Sequence, residues 1–419
     1  MLQLFGRADT LHPSIAMGFT GPDGSLDPRL SFAGPAGRTR INAAGALESV
    51  AANVPRLQWD PVTLAPRGLL LEMEERRNSI PNALATGAVA GAPGTMPTGW
   101  FVNTQTTGIN REVVGTGVES GIAYVDIRFS GTALADGALT IIASELTDVT
   151  AASGQSWTGS AYVRTVNGSA NNLTNIFTSV AGRTAGGSDT ESTHVVYTPT
   201  TAPLITQRRE VTRALNSGST ARVTSTVFSC NVVTGAAVDI TLRIGAPQLE
   251  QGVGATSFIP TSSGAVTRTA ETCSFRVDLV SPITWFAEAE VAAAGSAAFP
   301  TLLSAGGDFG IVVFFAAYNR VLANVAGGTY NQWMASVSVT RGNVFRAALA
   351  IAPNDARGAV NGVLGDQDTT VTPTVSAGAT VVVGATAGGF NAWMGHIRRL
   401  GVWQGRRLSD AQLQSITAG

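Results

Sequence analysis

Hydrophobic and polar residues alternate in short runs along the middle of the chain. The runs "GIAYVDIRFSG", "SWTGSAYVRT", "ARVTSTVFSC" and "AVDITLRIG" approach a period of two, and turn residues such as Gly, Asn and Ser separate them. This period is typical of strands that bury one face of a sheet. Roughly eight to ten such strands with no helix between them predict a sandwich of two antiparallel sheets over residues 81–268.

The last part of the chain, residues 269–419, repeats this pattern. Its strand-like runs include "SPITWFAEAEV", "VFRAALAIA" and "HIRRLGVWQ", which predict a second sandwich. The pattern changes in "RRLSDAQLQSITAG", where Ser409 can cap a short helix that carries Ala411, Leu413 and Ile416. The predicted fold class is therefore all-β, with two antiparallel β-sandwiches in tandem.

The first zone, residues 1–80, lacks such a pattern. Turn sequences such as "TGPDGSLDP" interrupt it, and residues 42–53 fit either a short strand pair or a brief helix. The zone is too poor in long apolar runs to form a large core alone. We therefore predict an extended N-terminal segment that serves attachment and oligomerisation.

Prolines shape the end of this zone. Pro55, Pro61 and Pro66 fix φ and lack an amide donor, which predicts a rigid extended run over residues 53–68 rather than a helix or a central strand. Gly68 permits a sharp turn, and the three leucines that follow it predict a buried strand.

Composition narrows the class of protein. The 419 residues include 48 glycines and only 13% charged residues, as expected for short strands and turns in two or three domains. A net charge of −1 without a basic stripe argues against nucleic-acid binding. Cys230 and Cys273 are too few for a disulfide scaffold and are predicted to be buried thiols. No secretory leader or membrane span is apparent, so we predict synthesis in the cytosol without membrane insertion.

Charge is concentrated directly behind the three leucines. Guanidinium groups bind carboxylates through paired hydrogen bonds, so the cluster predicts a network that fixes this segment to a neighbouring domain or subunit. The alternative is a solvated charged turn that contributes little energy. The predicted members of the network are Arg56, Arg67, Glu72, Glu74, Glu75, Arg76 and Arg77.

Three parts of the chain resemble, in order, structural proteins of tailed bacteriophages and prophages. Residues 26–78, with "VPRLQWDPVTLAPRGLLLEMEERRN", are similar to their N-terminal module, although Gln58 and Trp59 stand where Asp and Tyr are usual and Arg77 stands where Thr is usual. Residues 245–271, "GAPQLEQGVGATSFIPTSSGAVTRTAE", resemble the junction between a carbohydrate-binding-module-like jelly roll and a concanavalin A-like or laminin-G-like sandwich. Residues 345–363 and 394–417 look like that second sandwich.

The resemblance implies both a domain order and a function. Residues 1–80 would attach to other virion proteins, 81–268 would form the jelly roll, and 269–419 the concanavalin A-like sandwich. The implied function is a structural virion appendage of a phage or gene transfer agent, a tail fibre or head spike, made in the bacterial cytoplasm and located in the virion. It would bind host surface polysaccharide as a homo-oligomer, a trimer or, at a capsid vertex, a pentamer.

The enzymatic alternative is a polysaccharide-cleaving spike of the glycoside hydrolase type. Glu288 and Glu290 alternate on a predicted strand and so project from one face, and retaining glycosidases need two carboxyls roughly 5 Å apart. This stretch lacks the third acid of the Glu-x-Asp-x-x-Glu pattern that glucanases of the concanavalin-like fold carry. His12, His194 and His396 show no catalytic or metal-ligand spacing. We therefore expect a protein that is not an enzyme.

The side chains best suited to sugar binding are aromatics beside Gly and Asn. Their rings can stack on sugars while amides reach hydroxyls, although packing between protomers or at the end of a sandwich is an equal alternative. Trp100, Trp157, Trp285 and Trp403 are expected in the cores instead. The candidate carbohydrate-binding residues are Tyr330, Asn331, Gln332, Trp333, Phe390, Asn391 and Trp393.

No cofactor is predicted. Four aspartates could offer oxygen ligands for a structural calcium ion, but no loop has the dense alternating acids of a strong calcium site. The residues concerned are Asp308, Asp355, Asp366 and Asp368.

Overall fold

The computed structural model describes residues 12–20, 27–144, 149–292, 297, 299–305, 309–314, 320–325, 330–371, 373, 377–386 and 388–419. Within these ranges the chain forms thirty strands, one 3-10 helix at Leu204–Thr206 and one α-helix. The predicted all-β class is therefore confirmed. None of the helices in the described ranges has the length and hydrophobicity needed to span a bilayer.

Seven short strands form among the described residues up to Asn78. Pro55 and Pro61 lie outside these strands and Pro66 begins one of them, which are the positions that a residue without an amide hydrogen tolerates. The strands are β1 (Ile15–Gly18), β2 (Leu30–Ala33), β3 (Arg38–Ile41), β4 (Leu47–Val50), β5 (Arg56–Trp59), β6 (Pro66–Glu72) and β7 (Arg76–Asn78).

Residues 101–251 contain the strands of the middle sandwich. They are β8 (Phe101–Thr104), β9 (Ile109–Glu119), β10 (Ile122–Thr132), β11 (Gly137–Ile142), β12 (Val149–Thr150), β13 (Ser156–Ser169), β14 (Thr174–Arg183), β15 (Asp189–Val196), β16 (Arg208–Ala214), β17 (Arg222–Val232) and β18 (Ala237–Gln251). One sheet has the order β16-β13-β18-β10-β9, and the other has the order β15-β14-β17-β11-β8 with β12 beside β17. Inward side chains such as Ile127, Phe129, Phe228 and Leu242 are 0% exposed and form the core between the sheets.

The remaining strands and the helix follow residue 265. They are β19 (Val266–Arg268), β20 (Thr272–Val277), β21 (Ile283–Val291), β22 (Thr301–Ala305), β23 (Phe309–Phe314), β24 (Arg320–Val325), β25 (Tyr330–Trp333), β26 (Val344–Ala352), β27 (Asp355–Val360), β28 (Val363–Asp368), β29 (Ala379–Val383), β30 (Met394–Gln404) and α1 (Asp410–Ala418).

The C-terminal sandwich takes up strands from both ends of the chain. Its eight-stranded sheet has the order β28-β27-β26-β21-β30-β6-β5, with β1 also paired to β30, and its seven-stranded sheet has the order β2-β20-β29-β22-β23-β24-β25. Met17, Leu69 and Leu71 are at most 2% exposed in its core, as predicted for the leucine run. The strands β1, β2, β5 and β6 therefore do not stand apart as an attachment segment, because their apolar side chains complete this sandwich.

The two sandwiches have separate hydrophobic cores. One core draws its buried residues from 15–73 and 273–402, and the other draws them from 80–258. The chain thus begins the C-terminal sandwich, leaves to build the middle sandwich, and returns. It leaves along β7 and returns along β19, which pair antiparallel with Asn78 opposite Val266; we call this strand pair the stem.

Side chains at the stem fix one sandwich against the other. Asn78 is 0% exposed, and its amide donates to the Ile259 carbonyl at 2.9 Å while its Oδ1 accepts from the Leu249 amide at 3.1 Å. Strands β3 and β4 form a hairpin, so residues 42–53 belong to a strand pair and not to a helix. The hairpin adds a hydrogen bond from the Leu47 amide to the Ser120 carbonyl at 2.9 Å. The junction is therefore built from directed hydrogen bonds.

Helix α1 covers part of the outer face of the eight-stranded sheet. The predicted cap is confirmed: the Ser409 hydroxyl accepts from the Gln412 amide, and the Gln412 side chain accepts from the Ser409 amide. Leu413 packs with Phe286 and Trp403 beneath the helix. Burial on both faces explains why every described residue of β21 is buried.

Candidate functional site

Five charged side chains meet in the interior where β3, β5, β6 and the returning chain come together. Arg56 contacts Glu72 at 2.8 Å and Glu271 at 2.7 Å, while Arg38 pairs with Glu271 and Arg268 pairs with Glu72. None of the five is more than 4% exposed. We call this group the buried ion cluster.

Further hydrogen bonds satisfy other donors and acceptors of the cluster. Its three arginines outnumber its two carboxylates, and Arg38 gives its remaining donors to the carbonyls of Pro35, Ala51 and Val54. Ser257 donates to Glu72 through its amide at 2.7 Å and through its hydroxyl at 2.6 Å. Buried charges are tolerated only when they are paired in this way.

The same contacts keep Glu72 and Arg56 ionised. Burial raises the pKa of Glu72, but Arg268 and Arg56, together with the two Ser257 donors, outweigh burial and hold this pKa well below its usual range. Burial lowers the pKa of Arg56, but Glu72 and Glu271 outweigh it and the pKa is raised. Glu72 therefore stays charged where it joins the N-terminal strands to Ser257 and Arg268.

The predicted network is divided among three places. Arg56 and Glu72 lie in the buried ion cluster, Arg76 pairs with Glu74 at 2.6 Å, and Arg67 pairs with the distant Glu290. Glu75 and Arg77 are exposed beside the stem.

Sequence reasoning missed three members of the cluster. Arg38 carries no distinguishing signal, but Arg268 and Glu271 belong to "VTRTAE", the end of the second segment that resembles phage proteins. The charged residues of two segments that resemble phage proteins therefore lie together in the fold. Their place in those two segments was the signal that the sequence offered.

An open cleft lies beside the stem at the end of the middle sandwich. Its volume is about 930 Å³, and its walls come from the stem, β12, the start of β13 and the end of β18. The lining includes Glu75, Arg77, Gln155, Trp157 and Gln251. We call it the junction cleft, since both the stem and the middle sandwich contribute to it.

The predicted aromatic site is not assembled as expected. Trp393 is 0% exposed and belongs to the core of the C-terminal sandwich, where its ring lies 6.3 Å from that of Phe345, so the prediction that Trp393 faces a sugar is wrong. Phe390, by contrast, is 74% exposed, and Asn391 beside it is also exposed.

The other aromatic candidates lie elsewhere. Residues 330–333 form β25, and β22, β23 and β24 separate this strand from β29, which precedes Phe390. The side chains of Tyr330, Asn331, Gln332 and Trp333 lie outside the described part of the structure. The four tryptophans expected in the cores are buried, at 1–7% exposure, which confirms that prediction: Trp100, Trp157, Trp285 and Trp403.

The two carboxylates of the enzymatic alternative are both committed to arginines. Glu288, 5% exposed, accepts from Arg346 at 3.1 Å and from Arg399 at 2.8 Å. Glu290, 3% exposed, pairs with Arg67 and lies 3.7 Å from His396. Burial, reinforced by Arg67, holds the pKa of His396 well below its usual range, so this imidazole is neutral.

The aspartates considered for calcium have other partners. Asp355 accepts from Arg407 and Gln367, Asp368 accepts from the Thr370 amide, Asp366 is exposed, and Asp308 lies outside the described residues. In the described ranges no group of three or more His, Cys, Asp or Glu side chains is arranged to hold a metal ion. Both cysteines are free and buried, as predicted.

Comparisons with known proteins find fold likeness alone. No family model and no curated protein matches the chain. One similar solved structure is a heptameric SAP-like pentraxin from Limulus polyphemus, with 16% identity over 34% of this chain and 72% of that chain and a TM-score of 0.29. Domain 4 of AbnA, a GH43 arabinanase from Geobacillus stearothermophilus, has 14% identity over 39% of this chain and 82% of that chain, with a TM-score of 0.30. The CBM22 tandem of Paenibacillus barcinonensis Xyn10C has 11% identity over 76% of this chain and 99% of that chain, with a TM-score of 0.24. Likeness of this degree carries no conclusion about function.

Proposed function

We propose that the chain is a non-enzymatic virion appendage, a tail fibre or head spike, that binds polysaccharide on the host surface. The virion assignment rests on the three segments that resemble phage structural proteins. The binding assignment rests on one observation, the junction cleft, whose volume of about 930 Å³ lies within the range of ligand sites and whose polar lining faces solvent.

The state of the paired carboxylates supports binding without cleavage. A retaining glycosidase needs one carboxyl as nucleophile and one as proton donor, both reaching the substrate. Glu288 and Glu290 are buried beneath arginines instead. A structural role for both residues is the simpler interpretation.

The proposal includes assembly and attachment to the particle. Val114 and Val118 on the edge strand β9 are 45% and 70% exposed, and cover by a second subunit would protect them. We propose a homo-oligomer, with a trimer ahead of a pentamer. Because residues 12–80 are built into the C-terminal sandwich, we propose that other virion proteins contact this sandwich as a whole.

A glycan array probed with the full-length oligomer tests the binding function, together with an assay for new reducing ends. We expect binding to surface polysaccharides without release of saccharides, and we expect Glu288→Gln to leave binding unchanged. Saccharide release that Glu288→Gln abolishes would establish the enzymatic alternative. Immunogold labelling of purified particles tests the virion assignment, and unlabelled particles would refute it.

A further inference from the structure

The junction cleft holds one amide side chain in a fixed orientation. The Oε1 atom of Gln155 accepts from the Trp157 indole at 3.0 Å and from the Ala152 amide at 3.0 Å. Both bonds use the carbonyl end of the side chain, so its NH₂ group keeps two donors for a ligand. An amide fixed in this way is preorganised, which lowers the entropy cost of binding.

The cleft also presents the guanidinium of Arg77, which has no ionic partner among the described residues. Arg76 is only 8% exposed and is tied to Glu74 at 2.6 Å, with Glu250 at 3.9 Å. Its neighbour Arg77 is exposed and makes no ion pair within 4.0 Å among the described residues. The pairing of β7 with β19 fixes the backbone of Arg77 opposite Thr267.

The charges that line the cleft favour a sparsely charged ligand. Arg77 can bind a carboxylate through two parallel hydrogen bonds. Glu75 lines the same cleft and is exposed, so it can accept from hydroxyl groups but repels a second carboxylate. The NH₂ group of Gln155 can donate to hydroxyl or carboxylate oxygens.

We propose that the junction cleft binds a short acidic oligosaccharide with one carboxylate, which pairs with Arg77 while Gln155 and Glu75 contact the ring hydroxyls. This inference rests on the proposed function, because it names the class of sugar that the protein recognises. Since the stem and the middle sandwich both line the cleft, the bound sugar also bridges the two.

The test compares singly acidic oligosaccharides with their carboxyl-reduced forms. An array of uronic acid trisaccharides, with aldotriouronic acid and its reduced form measured by calorimetry, is probed with the full-length protein. We expect the acid to bind at least about tenfold more tightly than the reduced form, as a charge-assisted hydrogen bond implies. Arg77→Gln should remove this difference.

Two variants separate the cleft from the rest of the surface. Gln155→Glu keeps the acceptor for Trp157 and Ala152 but replaces both donors, so it should weaken binding of the acid more than binding of the reduced form. Arg128→Gln, on an exposed face of the same sandwich, is the matched control and should bind like wild type. Thermal unfolding midpoints identify any variant that fails to fold.

The outcomes distinguish this inference from the proposed function. If the protein binds glycans but prefers neutral ones, or if Arg77→Gln and Gln155→Glu bind as well as Arg128→Gln, the cleft is not the site and the proposed function stands. If wild type binds no glycan on the array, both the proposed function and this inference fail.

Discussion

Glu271 is the residue that ties the buried ion cluster together. It accepts from Arg38, from Arg56 at 2.9 and 2.7 Å, and from the Glu72 amide at 2.7 Å. These donors come from β3, β5 and β6, whereas Glu271 lies on the returning chain. A single carboxylate therefore joins three strands that each lie almost two hundred residues or more before it in the sequence.

We predict that Glu271→Gln costs about 3–5 kcal/mol of unfolding free energy, the range for breaking a buried ion pair. The substitution keeps the shape of the side chain, but it leaves Arg38 and Arg56 with too little negative charge and turns an NH₂ donor toward their donors. Urea unfolding followed by tryptophan fluorescence measures the loss.

Glu48→Gln is the matched control for this prediction. Glu48 pairs with Arg40 at 2.7 Å on the surface, where both side chains are partly exposed, and such pairs contribute about 0.2–1 kcal/mol. Equal losses of unfolding free energy in the two variants would show that the buried ion pairs stabilise the protein no more than the surface pair does.

At the scale of single elements, β6 shows which features of a strand can be predicted from its sequence and which cannot. The leucine run predicts a buried strand, and Leu69, Leu70 and Leu71 are 0–5% exposed. Gly68, however, lies inside the strand rather than at a turn before it, with φ of 108°. A Cβ there would approach the Ile397 carbonyl oxygen to 2.4 Å, a contact with β30 that only the folded chain creates.

We predict that Gly68→Ala destabilises the protein more than Gly37→Ala. Both glycines have positive φ, so both alanines incur about 1–2 kcal/mol of backbone strain. Only Gly68 has no space for a methyl group, since nothing lies within 4 Å of the corresponding position at Gly37. Thermal unfolding of the two variants measures the difference, and equal melting temperatures would mean that β30 moves aside without cost.

At the scale of the whole molecule, the sequence predicted strands far better than their partners. The period of two and the turn residues locate strands, because both are local properties of the chain. Pairing is not local: Leu69 pairs with Ile397 and Leu30 with Phe275, and nothing near either residue specifies its partner. The junction cleft was missed for the same reason, since Arg77 and Gln155 come to line one cleft only in the folded chain.

The topology predicts that the middle sandwich can be removed without unfolding the other. Asn78 and Val266 are paired at the end of the stem, so an Asn-Gly turn in place of residues 80–264 can join the two stem strands. In the shortened protein Glu72 loses its two hydrogen bonds from Ser257 but keeps its ion pairs with Arg56 and Arg268. We expect a lower melting temperature but a single cooperative transition.

Removal of residues 1–80 should have the opposite result, although it deletes far fewer residues. It removes β1, β5 and β6 from the sheet that β30 belongs to and β2 from its place beside β20, and it uncovers the core that Met17, Leu69 and Leu71 close. Near-ultraviolet circular dichroism and calorimetry of both proteins decide the matter. A truncated chain that melts with two intact transitions would show that the C-terminal sandwich does not need its N-terminal strands.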